Sequence, residues 1–175
     1  MKTESRRYRR SLWPRALLLL VFTAVVLVRW RQHATRPAPP ELLEPGVPYE
    51  VTRVIDGDTL LLANNARVRL IGVDTPEVKH ADRSVEPWGR EATAYTAQFV
   101  TNAEGRVRLE FDKERRDRYD RFLAYVYAGD QSLGEELVRK GLARVGDFRF
   151  SDAVRRRLQV AEDEARAAGR GIWSK

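Results

Sequence analysis

Three stretches dense in Val, Ile, Leu and Thr, Tyr49–Asp56, Thr59–Ala63 and Arg67–Asp74, are separated only by Asp56-Gly57 and Asn64-Asn65. Residue pairs of that kind tolerate positive φ and suit tight hairpins, so the run predicts an antiparallel meander. A helix follows over Gly89–Asn102, where Ala92, Tyr95 and Phe99 recur at helical spacing before Glu104-Gly105 stops it. Arg106–Phe111 alternates as a strand, and Arg121–Ala128 is aromatic and β-branched. Leu133–Lys140 is a short helix closed by Gly141, and Asp152–Ala168 carries Val154, Leu158, Ala161, Ala165 and Ala168 on one stripe that ends at Gly169.

Strands followed by helices define an α+β chain, and five strands with three helices packed on them have the proportions of a five-stranded OB-fold β-barrel. The 175 residues hold no cysteine and two histidines, which excludes disulfide frameworks, thiol nucleophiles and thiolate zinc sites. A metal here must be held by oxygen. The net charge of +7 is concentrated upstream: residues 1–48 carry nine Lys/Arg against three Asp/Glu, leaving 23 against 22 in the rest. Affinity of the folded domain for a polyanion therefore needs a local patch.

Residues 1–15 form a basic tail, expected to stay in the cytoplasm, and an uncharged apolar run extends from Ala16 to Val28. Those 13 residues span about 20 Å as a helix against a hydrocarbon core of roughly 30 Å, so a retained anchor competes with a cleavable signal peptide. Trp13 and Trp30 at the two interfaces, snorkelling by Arg15 and Arg29, and the absence of a small-x-small cleavage site favour one hydrophobic membrane helix over 16–30. Heavier positive charge before the run than after it predicts membrane contact through residues 12–30 with the domain outside the cytoplasm; secretion after cleavage is the alternative. Five of the eight prolines fall in residues 36–48, so 31–48 reads as a semi-rigid linker and the domain as 49–175. No internal repeat or obligate protein partner is evident, and a monomer is expected.

The chemistry-bearing residues sit at strand ends and turns, in Ile55–Thr59, Arg69–Glu77 and Asp117–Arg121. Asp58 and Asp74 lie on adjacent hairpin strands, so their oxygens can converge on one hard cation, and two aspartates plus a carbonyl suit the loose coordination of Ca²⁺. Asp-Gly-Asp taken alone reads first as a plain turn, and its context shifts the balance toward a ligand set. Pro76 fixes the backbone ahead of Glu77, which holds a third carboxylate close behind Asp74. Arg69, between Val68 and Leu70, points to the opposite face and needs a ligand or a carboxylate there; Arg121 opens the fifth strand. Guanidinium forks beside carboxylates and a metal are what phosphodiester cleavage requires.

These motifs resemble the staphylococcal nuclease family over Tyr49–Lys175, through Ile55–Thr59, Val73–Glu77, Glu110–Lys113, Leu123–Tyr125, Leu137–Ala143 and Ile172–Ser174. The resemblance implies an OB-fold enzyme that uses Ca²⁺ to hydrolyse single-stranded or loosened DNA and RNA with low sequence specificity. It implies Asp58, Asp74 and the Thr75 carbonyl as metal ligands, Glu77 as the group activating or orienting water, and Arg69 and Arg121 as phosphate clamps. Tyr119 is the implied nucleotide contact; Arg118 and Arg83 are further candidate substrate contacts, with a solvated loop charge the equal alternative for Arg83. A non-catalytic OB module binding single strands or a protein partner is the competing class, weakened because all five charged side chains are present.

Two departures from the family pattern are visible. Asp120 replaces the usual glycine between Tyr119 and Arg121, placing a carboxylate where it could pair with Arg121 or repel phosphate. Asp147 and Arg149 stand where relatives carry tyrosines, with Phe148 and Phe150 displaced by one position, as core or as stacking platform. Arg155-Arg156-Arg157 reads as a solvated helix face.

Overall fold

The computed structural model describes residues 21–27, 29, 40–78, 86–146 and 149–174. The chain divides into an N-terminal unit, Met1–Pro37, and a second unit, Ala38–Lys175. In the first, residues 21–27 are helical and exposed, with Phe22 at 68 % and Leu27 at 61 %. Among the described residues no helix is long and apolar enough to cross a membrane, so the expected membrane helix over 16–30 is not supported. Residues 16–20 and 28 of the apolar run that prompted it lie outside the described residues.

In the second unit the strands are β1 (Pro48–Asp56), β2 (Thr59–Leu62), β3 (Arg67–Leu70), β4 (Val73–Asp74), β5 (Arg106–Glu110), β6 (Phe122–Ala128), β7 (Gln131–Ser132) and β8 (Arg144–Val145). The helices are α1 (Gly89–Asn102), α2 (Leu133–Arg139) and α3 (Asp152–Ala167). β1 pairs antiparallel with β2 through its C-terminal half and with β5 through its N-terminal end, while β3 closes the ring by pairing parallel with β6. The result is the five-stranded closed barrel expected from the meander. Register shifts between Val51 and Arg53 and between Val54 and Asp56 bend β1 enough to serve two neighbours, as closure demands.

Alternation fills the interior. Val107 and Leu109 of β5 and Phe122, Ala124 and Val126 of β6 are buried, and Leu60, Leu62, Val68 and Leu70 meet them from β2 and β3. Helix α1 closes the barrel with Ala92, Thr96, Phe99 and Val100, and α3 contributes Leu158, Ala161 and Ala165.

Two expectations change. The strand predicted over Arg67–Asp74 breaks at Gly72, whose φ is 81° and whose missing Cβ would stand 2.9 Å from the Phe150 ring. Residues 40–48 are not a free spacer: Leu43 is 2 % exposed, Gly46 N donates to the Leu109 carbonyl, and the main chain of Glu44 meets the Tyr49 hydroxyl. Proline-rich composition hid one deeply buried anchor. Leu43→Ala is expected to cost about 2–5 kcal/mol, the range for emptying a buried leucine site; a urea midpoint unchanged from wild type would show that the segment only rests on the surface.

Candidate active site

The turn between β1 and β2 is docked on α1. Thr96 Oγ1 donates to the Gly57 carbonyl at 2.6 Å, and a Cβ on Gly57 would lie 2.8 Å from Ala92 Cβ and from Thr75 Cγ2. Glycine is required there by close approach rather than by φ. The next residue, Asp58, is therefore fixed, and at 5 % exposure it is nearly enclosed. Its Oδ2 accepts from Thr75 N and Thr75 Oγ1, each at 2.9 Å, and its Oδ1 accepts from Thr59 Oγ1 at 3.1 Å.

The break at Gly72 makes the second part of the site. It turns the carbonyls of Leu70 and Val73 toward Arg69, whose Nη1 donates to them at 3.1 and 2.8 Å. The same guanidinium stands 3.0 Å from Asp58 Oδ2 and 2.9 Å from Asp74 Oδ1. Asp74 is held in β4 by pairing with Arg144 of β8, and β8 is held by Glu162 of α3, which accepts from Val145 N at 2.9 Å. Unlike Asp58, Asp74 has a side chain 63 % exposed, so it faces the medium from which a ligand arrives.

Negative charge here exceeds what Arg69 balances. Burial and then the charge of Asp58 push Asp56 up to about 6. Partial burial raises Asp74 against the pull of Arg69, with the charges of Asp58 and Glu86 adding to it. The charge of Asp58 thus bears on two neighbouring carboxyls, a place where a divalent cation would be favourable. The donors are hard oxygens, which fits Ca²⁺. Among the described residues no group of three or more His, Asp or Glu side chains is placed to hold a metal ion by itself. The raised Asp56 has its own consequence. Its stabilising effect is present below pH about 4 and fades as pH rises through about 6, because the folded state binds the proton more tightly. Asp56→Asn, which retains an acceptor for Asp58 N, should flatten the metal-free Tm between pH 4 and 7; the wild-type slope in that variant would refute the assignment.

Arg121 approaches through a turn built by Asp117. Asp117 Oδ1 accepts from the backbone N–H groups of Tyr119 and Arg121 at 2.9 and 3.0 Å, and its Oδ2 meets Arg121 Nε at 2.7 Å. Burial pushes the Asp117 carboxyl up, but these hydrogen bonds outweigh it and leave the group below the usual carboxylate range. Tyr119 is 56 % exposed, with the Arg118 and Arg121 guanidinium groups 4.8 and 5.5 Å from its ring centre. Arg69, Arg118, Tyr119, Arg121 and Arg149 line one open cavity of about 570 Å³. Asp74 and Thr75 line a second, of about 410 Å³, and the Arg69–Asp74 contact joins the two. A larger cavity of about 890 Å³ beside α1 and β5 contains none of these groups.

The sequence profile of the staphylococcal nuclease homologue family matches residues 67–175. The chain is 41% identical over 129 residues to the thermonuclease of Staphylococcus hyicus, covering 72% of this chain and 75% of that one. Against the thermonuclease of Staphylococcus intermedius it is 42% identical over 133 residues, covering 74% and 78%. Against endonuclease YncB of Bacillus subtilis strain 168 it is 40% identical over 132 residues, covering 70% and 60%. The chain belongs to the staphylococcal nuclease family.

Within this staphylococcal nuclease homologue, Arg69 links Asp58 to Asp74 and Asp58 in turn holds Thr75, while Arg121, Arg118 and Tyr119 share the Arg69 cavity. Glu77 is exposed, its N–H donating to Glu86 Oε2 at 3.2 Å and its carbonyl accepting from Glu86 N at 3.0 Å. A Cβ on Gly89 would stand 2.8 Å from that carbonyl, so the start of α1 presses on the Glu77 backbone. Arg83 and the flanking residues 79–85 lie outside the described residues, as do Asp147 and Phe148. Phe150 packs against the core beside Gly72, and Arg149 lines the Arg69 cavity. The Arg155–Arg157 triplet is more than a solvated face: Arg157 pairs with Glu135 at 2.7 Å and Arg155 covers the Phe150 ring. Sequence reasoning missed Asp117 as the organiser of the Arg121 turn, although an aspartate four residues before an arginine was the available signal.

Proposed function

We propose that this nuclease hydrolyses phosphodiester bonds of DNA and RNA with low sequence specificity, prefers single-stranded or loosened substrate and depends on Ca²⁺. The observation that carries the reading is Arg69, a buried guanidinium that bridges two carboxylates and also lines the cavity shared with Arg121. Asp58, Asp74 and the Thr75 carbonyl are the groups that would hold the ion. Bound there, Ca²⁺ polarises a phosphate oxygen and offsets its charge.

The chain's own residues supply the rest. Arg69 and Arg121 hold the phosphate oxygens by bidentate hydrogen bonds and stabilise the charge that builds on pentacoordinate phosphorus. Glu77 takes or orients the proton of the attacking water, so that a P–O bond forms on one side while the bond to the leaving sugar oxygen breaks on the other. Arg121 assists that leaving oxygen. Tyr119 and Arg118 contact the nucleotide at the rim, where an exposed ring can stack on a base. With the domain near charge neutrality, substrate affinity resides in this arginine group and falls with salt.

Retention on a membrane through residues 12–30, with a monomeric nuclease domain outside the cytoplasm, is part of the proposal. The charge asymmetry around the apolar run supports it. Incubating the full chain with labelled single-stranded DNA in Ca²⁺ and in chelator tests the activity. Cleavage in Ca²⁺ that stops in chelator supports the enzyme; tight binding with no cleavage would replace it with a binding module.

A further inference from the structure

Arg116 contacts nothing in the proposed reaction, yet its guanidinium has an unusual set of partners. Nη2 donates to the carbonyls of Pro40 and Glu41 at 2.7 and 2.9 Å, and Nη1 meets Asp120 Oδ1 at 2.5 Å. The group also lies over the buried Phe122 ring, 3.9 Å from its centre. One planar fork thus joins three parts of the chain: the strap that precedes the barrel, the first strand residue after the substrate turn, and the turn itself.

That turn needs such support. Asp120 adopts φ 60°, which costs a residue with a Cβ more than it costs glycine. Its side chain is 66 % exposed and pairs with Arg116, while Arg67 Nη2 reaches the Tyr119 carbonyl at 3.2 Å and Asp120 N the Asp117 carbonyl at 3.1 Å; of these, Arg116 is the contact that ties the turn to the strap. The neighbouring Arg115 reaches the Leu43 carbonyl at 3.4 Å, and Leu43 is itself buried. The strap is therefore anchored in the core at one end and tied to the turn at the other. Asp117 shapes the turn from inside through Tyr119 and Arg121; Arg116 fixes it from outside through Asp120.

We propose that Arg116 is a positioning residue for substrate binding: by clamping Pro40 and Glu41 to Asp120 it holds the 117–121 turn in the conformation that presents Tyr119 and Arg121. The segment leading into the barrel is then part of the mounting of the substrate site. This rests on the nuclease reading for its functional consequence and on hydrogen bonding alone for its structural one. A turn that is ordered only part of the time lowers apparent affinity by the ordered fraction, while the bound enzyme turns over normally.

The test uses the full chain with Arg116→Ala, Arg116→Lys and Asp120→Gly. In Arg116→Ala, amide exchange of Tyr119 and Arg121 should accelerate about 10-fold, and KM for a single-stranded oligonucleotide should rise about 10-fold with kcat within about twofold. Arg116→Lys should recover only part of this, because one ammonium cannot span carbonyls and carboxylate together. Asp120→Gly also cuts the link but removes the φ cost that the link offsets, so it keeps the protein folded if Arg116→Ala does not and should speed amide exchange and raise KM less than Arg116→Ala does. Unchanged amide exchange in both Arg116→Ala and Asp120→Gly overturns the proposal. So does faster exchange with an unchanged KM, since a merely structural arginine would lower Tm alone. Wild-type protein that fails to cleave in Ca²⁺ would remove the nuclease reading instead, and amide exchange would still decide the clamp.

Discussion

Glu77→Gln should lower kcat by about 10²–10⁴-fold, the usual contribution of a positioned general base, and leave cation binding close to wild type. The amide has the shape of the carboxylate, and the hydrogen bonds of the Glu77 main chain to the Glu86 carboxylate and N–H do not involve the altered group. What it loses is the ability to accept the proton of water. The predicted ligands, Asp58, Asp74 and the Thr75 carbonyl, remain. Because Glu77 is exposed, the change in stability should stay within about 0.5 kcal/mol. Three measurements thus separate chemistry from folding: kcat with saturating Ca²⁺, calcium titration by calorimetry, and thermal unfolding. Turnover equal to wild type would exclude Glu77 as the base. A large drop in kcat accompanied by lost calcium binding would instead make Glu77 a ligand.

Much of the barrel was legible because its signals are local. Asp56-Gly57 makes a turn whatever surrounds it, and Val107 and Leu109 alternate with charged neighbours in the order that a half-buried strand demands. The parallel closure of β3 on β6 joins residues more than fifty positions apart and leaves no local trace. The break at Gly72 was also hidden, since Arg67–Asp74 is strand-like in composition apart from that one glycine; the ring of Phe150 and the needs of the Arg69 guanidinium explain it. In the site, residue types were readable and pairings were not. Asp117, Arg116, Asp120 and Arg121 permit two i,i+4 ion pairs, and the fold makes both: Arg116 with Asp120 and Asp117 with Arg121. The carboxylate at the departure from the family pattern is therefore turned away from Arg121, so its presence does not imply a poisoned phosphate site. The strap at residues 40–48 was the largest misreading, because prolines describe backbone stiffness and say nothing about where Leu43 goes.

Arg69→Lys should be nearly as damaging to the rate as Arg69→Ala, and the two should differ in stability. The guanidinium serves two carbonyls and two carboxylates through two nitrogens, a span that a single ammonium cannot reproduce. Loss of a preorganised donor to the transition state typically costs about 10²–10³-fold in kcat, and both variants remove the fork. The alanine variant additionally leaves Asp58 buried without its counter-charge, a defect worth about 3–5 kcal/mol. The lysine variant keeps the charge and loses part of the hydrogen bonding, about 1–3 kcal/mol for stranded buried acceptors. Calcium provides the decisive comparison. An ion binding only the folded state adds stability by mass action, and one seated between Asp58 and Asp74 would relieve the same excess negative charge that Arg69 relieves in the free protein. Saturating Ca²⁺ should therefore narrow the stability gap between wild type and Arg69→Ala while leaving the rate gap intact. If Ca²⁺ restores both, Arg69 is a strut that the ion can replace; if the folded lysine variant cleaves at the wild-type rate, the phosphate is held by Arg121 and its neighbours without Arg69.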